Sequence, residues 1–228
     1  MTEPVAVSVD VVSDVVCPWC YIGQKRLDRA IAALPDISVT IRWRPFQLDA
    51  TIPPEGKSRR DYLLEKFGSE ARIKEIYARI EEVGADEGIH FDFDAIKVSP
   101  NTLDAHRVLR WAGSSGPGVQ HALKQRLLRL YFEEGVNIGD HAVLIQAARD
   151  SGMDAAVVEA LLPTDADRDA VAAEVATASR MGITGVPCFL IESKYAVMGA
   201  QDSQTLADAI REVAGAKAKG EVESSFSP

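Results

Sequence analysis

The sequence has few cysteines and few histidines. Only three cysteines and four histidines occur among 228 residues, of which 46% are hydrophobic. A chain of this length and apolar content can build a substantial core without disulfide staples. The histidines do not stand in the paired spacing of zinc ligands, which disfavours a structural metal site. They are His90, His106, His121 and His141.

Positive charge and long apolar runs are also scarce. The net charge of −9 argues against a nucleic-acid partner, because phosphate binding needs a basic face. No stretch approaches the ~18 consecutive apolar residues of a membrane-spanning helix. The N-terminal Met1-Thr2-Glu3-Pro4 lacks the positive and apolar regions of a signal peptide. We therefore expect a cytoplasmic protein of one large or two small domains, with no nucleic-acid partner and no membrane partner.

The most informative motif is Cys17-Pro18-Trp19-Cys20. Residues 5–12 alternate as a strand does, whereas residues 21–34 carry apolar side chains at helical spacing. Cys17 is thus expected at the first turn of a helix, where unpaired amides and the helix dipole favour a thiolate. This position predicts a pKa below the usual ~8.5, in the ~3.5–7.5 range of such motifs. A CxxC pair in the reducing cytoplasm is typical of redox chemistry.

Other interpretations of the three cysteines are weaker. Two of them could be plain core residues, but the strand–CxxC–helix context disfavours that. A zinc site would need two more ligands, and only Cys188 and the scattered histidines are available. Because Cys188 follows Pro187 in a predicted strand, it should face away from Pro187. We interpret it as a buried strand cysteine rather than an auxiliary redox thiol.

The remaining pattern predicts an α/β protein. A second strand is expected over residues 37–46, parallel to the first, followed by an all-helical insertion of about 130 residues. Strands at 187–191 and 195–198 then form a hairpin, and a final helix follows. Asp10 lies in the first strand, where we favour solvation at an open sheet end over a role as proton acceptor for Cys20. From Gly215 onward the small, charged and serine-rich composition predicts a flexible tail.

Several segments together resemble the DsbA family of the thioredoxin fold, and within it the FrnE-like branch. The resemblance covers roughly residues 5–214 and includes the CxxC motif. The segments that carry it are Asp14 to Gly23, Pro45-Phe46-Gln47-Leu48, Asn101 to Arg107, Tyr131-Phe132, Thr184-Gly185-Val186-Pro187 and Gly199-Ala200-Gln201. It implies a discontinuous thioredoxin-like domain of residues 1–50 and 182–214, a helical insertion of residues 51–181 between the second and third strands, and a flexible tail of residues 215–228.

The resemblance also implies a thiol–disulfide oxidoreductase that acts on protein thiols and disulfides, or on glutathione, without a metal or organic cofactor. Cys17, facing solvent, would attack, and the sheltered Cys20 would resolve the mixed disulfide. The Val186-Pro187 bond is expected to be cis, and the backbone before it to pair with substrate.

Other residues implied at the substrate site are open to a second interpretation. Pro18 fits the first helical turn, and Trp19 is equally consistent with substrate contact and with packing. Asn101 and His106 either tune the thiolate and hold substrate or, as we favour for His106, serve the core. Gln201 completes the predicted substrate-binding set.

Two other functions stay open on the sequence. A sister group, the 2-hydroxychromene-2-carboxylate isomerases and kappa-class glutathione transferases, shares the fold, so glutathione-dependent isomerisation or transfer is the runner-up. That group usually has serine at the position of Cys17 and lacks the second cysteine. The third is a non-catalytic, chaperone-like binding module. The sequence does not indicate an oligomeric state.

Overall fold

The structure is a computed structural model that describes residues 4–220 and 222. Its elements run in the following order: β1 (Val5–Ser13), α1 (Pro18–Ala32), β2 (Ile37–Pro45), β3 (Lys57–Ser58), α2 (Arg59–Phe67), α3 (Glu70–Asp86), β4 (Val98–Ser99), α4 (Leu103–Ala112), α5 (Val119–Phe132), α6 (His141–Asp150), α7 (Ala155–Leu161), α8 (Arg168–Arg180), β5 (Cys188–Ile191), β6 (Tyr195–Met198) and α9 (Ser203–Ala218).

The main sheet has four strands in the order β2-β1-β5-β6. Strands β1 and β2 are parallel, with Val5 opposite Ile37, as expected for two strands joined through a helix. Strand β5 pairs antiparallel with β1, with Val11 opposite Phe189, and β6 pairs antiparallel with β5. Valines of β1 pack with α1 and α9 in one buried core. The predicted thioredoxin-like fold, with a large helical insertion between the second and third strands, is confirmed.

A second core fills the space between α1 and the helices of residues 70–162. Asp140 and Asp154 cap α6 and α7 by accepting a hydrogen bond from the amide two residues ahead, which is a favoured role of aspartate at helix starts. The insertion is not entirely helical, which corrects the sequence prediction. The two-residue strands β3 and β4 pair antiparallel and tie the start of α2 to the segment before α4.

The C-terminal helix is longer than predicted. The flexible tail was expected from Gly215, but α9 continues through Ala218. Lys217 explains the extension, because its ammonium donates to the carbonyl oxygen of Ala6 and to Glu192 and so holds the last turn. Residues 221 and 223–228 of the predicted tail lie outside the described residues. The division into two domains stays a prediction.

Within the described residues, no helix has the length and apolar character needed to cross a membrane.

Candidate active site

The CxxC motif lies where β1 gives way to α1. Cys17 is the N-cap of α1 in an extended conformation, and Pro18 occupies the first helical turn, where a missing N–H leaves no helical bond unmade. All three cysteines are free thiols. The Cys17 thiol donates to the carbonyl oxygen of Val186 at 3.7 Å. This contact brings the motif against the loop that contains Pro187, 169 residues away in the chain.

The ionisation of the two thiols differs from the sequence prediction. Cys17 was expected to face solvent as the thiolate, yet it is only 4% exposed and Cys20 is fully buried. The hydrogen bond to Cys20, burial, and the negative charges of Cys20 and Asp14 raise the pKa of Cys17 well above that of an ordinary thiol, although the Cys20 amide acts to lower it. These effects outweigh the helix terminus, which was expected to lower the pKa of an exposed Cys17 sulfur.

The surroundings of Cys20 shift its pKa in the opposite direction. Burial acts to raise the pKa of Cys20, but the hydrogen bond from Cys17, the charge of Lys124 and the hydroxyl of Ser13 together lower it. Sequence reasoning missed both Ser13 and Lys124. Lys124 could not be found from local pattern, because it lies on α5, more than 100 residues from the motif. The low pKa suits Cys20 as a leaving group, since thiols of lower pKa leave faster in thiol–disulfide exchange.

The carboxylate beside the thiols is Asp14. It is buried and accepts hydrogen bonds from the amides of Val15 and Leu48, both at 2.8 Å, and lies 3.2 Å from His106 Nε2. Burial acts to raise the pKa of Asp14, but the hydrogen bond and charge of His106, the Leu48 amide and the charge of Lys124 lower it. The sequence analysis included Asp14 only within a motif and gave it no role at the site. Its position three residues before Cys17 was the signal that could have identified it.

His106 connects this carboxylate to the second strand. Its Nε2 lies 2.9 Å from the carbonyl oxygen of Phe46 as well as 3.2 Å from Asp14 Oδ1. Both neighbours are acceptors, so Nε2 is the donor in these contacts. His106 is thus a buried, hydrogen-bonded core residue that reaches the cysteines only through Asp14.

Asp10 is not exposed, which corrects the preferred interpretation. It is 4% exposed, and it binds Arg42 through both oxygens at 2.9 Å and Arg44 at 2.7 Å. The arginines of the neighbouring strand β2 project over it, so burial is compensated by charge rather than by water. Among the described residues, Asp10 bonds to these arginines and to Ser193, not to Cys20.

The loop before β5 packs tightly on α1. The Val186–Pro187 peptide bond is cis. A Cβ on Gly23 of α1 would come within 2.8 Å of Pro187 Cγ, so a glycine lets the helix and the loop approach each other. The Gly199 amide donates to the Pro187 carbonyl at 2.8 Å, which ties the loop to the segment that carries the exposed Gln201.

Trp19, Asn101 and Cys188 mainly make packing contacts or hydrogen bonds within the protein. Trp19 is half-buried against the helical core. The Asn101 amide donates to the Ile52 carbonyl, and its oxygen accepts from Gln47 and from the Leu103 amide, so it ties loops together. Cys188 is fully buried beside Val12, Ala178 and Ile183, and burial raises its pKa.

An apolar groove adjoins the motif on its Pro18 side. It holds about 100 Å³ and is lined mainly by apolar side chains of α2, α3 and the loop after β2. Leu48 and Phe67 at this groove are more than a third exposed, which is unusual for large apolar side chains. The groove could receive an apolar side chain next to the reacting sulfur.

A thioredoxin-like sheet with two free thiols at the start of its first helix defines a thiol-redox class of protein. Residues 8–211 match the family described as DSBA-like thioredoxin domain, and the chain belongs to that family. The match spans both the sheet and the helices inserted into it. The FrnE-like branch stays a prediction.

Individual relatives agree with this family. A probable DsbA oxidoreductase from Streptomyces coelicolor, SCO1869, is 29% identical with a TM-score of 0.81, covering 95% of this chain and 92% of that one. The uncharacterized protein YwbO of Bacillus subtilis (strain 168) is 26% identical over 186 residues, which are 81% of this chain and 86% of YwbO. A 2-hydroxychromene-2-carboxylate isomerase structure is 17% identical with a TM-score of 0.70, covering 94% of this chain and 100% of that one, which shows a shared fold.

Proposed function

We propose that this protein is a protein thiol–disulfide oxidoreductase that cycles between the dithiol and a Cys17–Cys20 disulfide. The observation that carries the proposal is the pair of free, buried thiols at the start of α1, with the Cys17 thiol donating to the Val186 carbonyl at 3.7 Å. A polypeptide aligned along this loop would bring its own sulfur to Cys17. The neighbouring apolar groove supports a protein substrate, because it offers a place for a side chain beside the reacting cysteine.

In the oxidising direction, a substrate thiolate attacks Cys17 of the disulfide, and Cys20 leaves as a thiolate. A second substrate thiolate then attacks the substrate sulfur of the mixed disulfide and releases Cys17, which takes up a proton. Two electrons pass from the substrate thiols to the protein disulfide. The surroundings of Cys20 favour this direction, because they stabilise the group that leaves.

In the reducing direction, the proton of Cys17 passes to Cys20, and the Cys17 thiolate attacks one sulfur of a substrate disulfide. The other substrate sulfur leaves as a thiolate and takes up the proton of Cys20. The Cys20 thiolate then attacks Cys17 in the mixed disulfide and releases the second substrate thiolate, which takes a proton from water. Glutathione is a second candidate partner for either direction, since its thiol and disulfide take the same steps.

Catalysed reduction of insulin disulfides tests the function. Cys17→Ser should abolish turnover, whereas Cys20→Ala should accumulate mixed disulfides that non-reducing electrophoresis and mass spectrometry identify. Cys188→Ala is the matched control, because Cys188 is buried in a separate apolar cluster and should be dispensable. Full insulin turnover by Cys17→Ser would refute the proposal.

The same variants separate the alternatives. Turnover of a hydroxychromene carboxylate with glutathione, in the absence of insulin reduction, would favour the isomerase function. Suppression of aggregation that persists unchanged in Cys17→Ser, again without insulin reduction, would favour a binding module. The cytoplasmic location stays a prediction, to be tested by fractionation of cells that produce the protein.

A further inference from the structure

Arg26 of α1 holds the segment that follows β6. Its Nη1 donates to the carbonyl oxygen of Ala200 at 2.7 Å, and its Nε donates to Glu87 at 2.7 Å. The side chain is largely buried, with 18% of its surface exposed. A guanidinium presents its N–H donors in a rigid fork, so one side chain can fix two partners at once. The segment after β6 is thereby joined to α1 and, through Glu87, to the helical insertion.

The carboxylate that binds Arg26 lies where a helix does not favour one. Glu87 is the C-cap residue of α3, at the negative end of the helix dipole. Its side chain is only 6% exposed, and Arg29 Nη2 lies 2.8 Å from its second oxygen. Because α3 has no basic residue in its last turn, the compensating charges come from the two arginines of α1. The position of Glu87 is therefore explained by its contacts with α1 rather than by the stability of its own helix.

Helix α1 contacts two segments of the predicted substrate site. Gly23 lies so close to Pro187 that a Cβ on Gly23 would come within 2.8 Å of the proline ring. Arg26 lies three residues further along the same side of the helix and binds Ala200. Ala200 also packs against the core of the insertion. The loop before β5 and the segment after β6 are therefore both held against α1.

These two segments are hydrogen-bonded to each other. The Gly199 amide donates to the Pro187 carbonyl at 2.8 Å, and Ala200 is the next residue along the chain. On the other side of Pro187, the Val186 carbonyl accepts from the Cys17 thiol at 3.7 Å. A short path therefore joins the Ala200 carbonyl to the backbone that lies against the reacting sulfur.

The other hydrogen bonds of this segment do not reach the insertion. The amide and the side chain of Gln201 donate to carbonyl oxygens two and three residues earlier, and Asp202 caps α9. Among the described residues, Arg26 is the side chain whose hydrogen bond connects residues 199–201 to another element. Loss of Arg26 should therefore free this segment without breaking its internal bonds.

We propose that Arg26, held by Glu87, is a positioning residue that fixes residues 199–201 and the loop before β5 relative to Cys17 for polypeptide substrates. This inference rests on the proposed function. A polypeptide that pairs with the backbone of the loop binds more tightly when the loop is already ordered, because ordering it on binding costs free energy. The helical insertion thus contributes to substrate binding through α1, without touching the substrate.

Single-turnover oxidation of the dithiol by two kinds of disulfide tests the inference. A peptide disulfide can pair with the loop, whereas hydroxyethyl disulfide has no peptide backbone. In Arg26→Met the peptide concentration at half the limiting rate should rise about tenfold, because the hydrogen bond that orders the segment before binding is lost. The limiting rate with the peptide, and the rate with hydroxyethyl disulfide, should stay within about twofold of wild type.

Arg29→Met is the matched control. Arg29 binds the same carboxylate from the same helix, is 56% exposed, and has no bond to residues 199–201 among the described residues. Its loss also leaves Glu87 with one arginine, yet the peptide kinetics should match wild type. Arg26→Lys keeps the charge but not the fork, so it should restore part of the peptide affinity. Equal peptide kinetics in Arg26→Met and Arg29→Met, or an equal loss with hydroxyethyl disulfide, would overturn the inference.

Amide hydrogen exchange covers the case in which Arg26→Met does not fold. In Arg26→Lys the Gly199 amide should exchange about threefold faster than in wild type, because the weaker bond lets the segment open more often. A Gly199 exchange rate identical to wild type in folded Arg26→Lys refutes the inference. Wild-type protein that is oxidised by no peptide disulfide would contradict the proposed function. Wild-type peptide oxidation that Arg26→Met leaves unchanged would contradict only the role of Arg26.

Discussion

Replacing Asp14 with asparagine removes a negative charge beside the two thiols while nearly keeping the shape of the side chain. The carboxylate accepts from the Val15 and Leu48 amides at 2.8 Å and lies 3.2 Å from His106 Nε2. An asparagine has one acceptor oxygen, so its amide nitrogen would face an N–H donor. A lost hydrogen bond to a charged group is worth about 1.5–3 kcal/mol. With the unpaired donor added, we expect Asp14→Asn to destabilise the fold by about 2–4 kcal/mol.

Urea unfolding at pH 7 measures this loss. With a slope of about 2 kcal/mol per molar urea, the midpoint should fall by about 1–2 M. Asp208→Asn is the matched control, because that carboxylate is 57% exposed and pairs only at the surface, where the expected change is below about 0.5 kcal/mol. The Cys17 pKa should fall in Asp14→Asn, because the carboxylate charge acts to raise it.

The pH dependence gives a second check on Asp14. Because its pKa is lower in the folded protein than in the unfolded chain, its ionisation stabilises the fold fully above about pH 4. This contribution is lost as the pH falls through the lowered folded-state pKa. The stability difference between wild type and Asp14→Asn should therefore shrink below about pH 4. A variant as stable as wild type at pH 7, or a difference independent of pH, would refute the reasoning.

Two further substitutions test the packing around the site. In Gly23→Ala the new Cβ would lie 2.8 Å from Pro187 Cγ. The overpacking should cost about 1–3 kcal/mol, which exceeds the gain of about 1 kcal/mol from replacing glycine in a helix. A variant more stable to urea than wild type would contradict this. Arg107→Met should lower stability by about 3–5 kcal/mol, because the buried guanidinium donates to four carbonyl oxygens of residues 161–166 and to Asp104. Insulin turnover per folded molecule should be unchanged, and a selective loss of turnover would indicate a functional role instead.

Local pattern was enough to predict much of the fold. Alternation over residues 5–12 and helical spacing after the CxxC motif each depend on near neighbours in the chain. The predicted parallel pairing of β1 and β2 also follows from one short connection through a helix. Helix α2 lies within the predicted helical insertion, although its nine residues bury only Tyr62 and Leu63 and so give little periodic signal of their own.

The chemistry of the candidate site depends on contacts that no local pattern contains. The amino-acid sequence by itself determined that two thiols lie one helical turn apart at the start of a helix, because strand and helix periodicity flank them directly. Only the tertiary structure sets the surroundings of the two thiols. It buries both of them and places the charges of Asp14 and Lys124 where they act on the thiol pKa values. Electrostatic energies depend on burial and on distance in space, so separation along the chain does not reveal them.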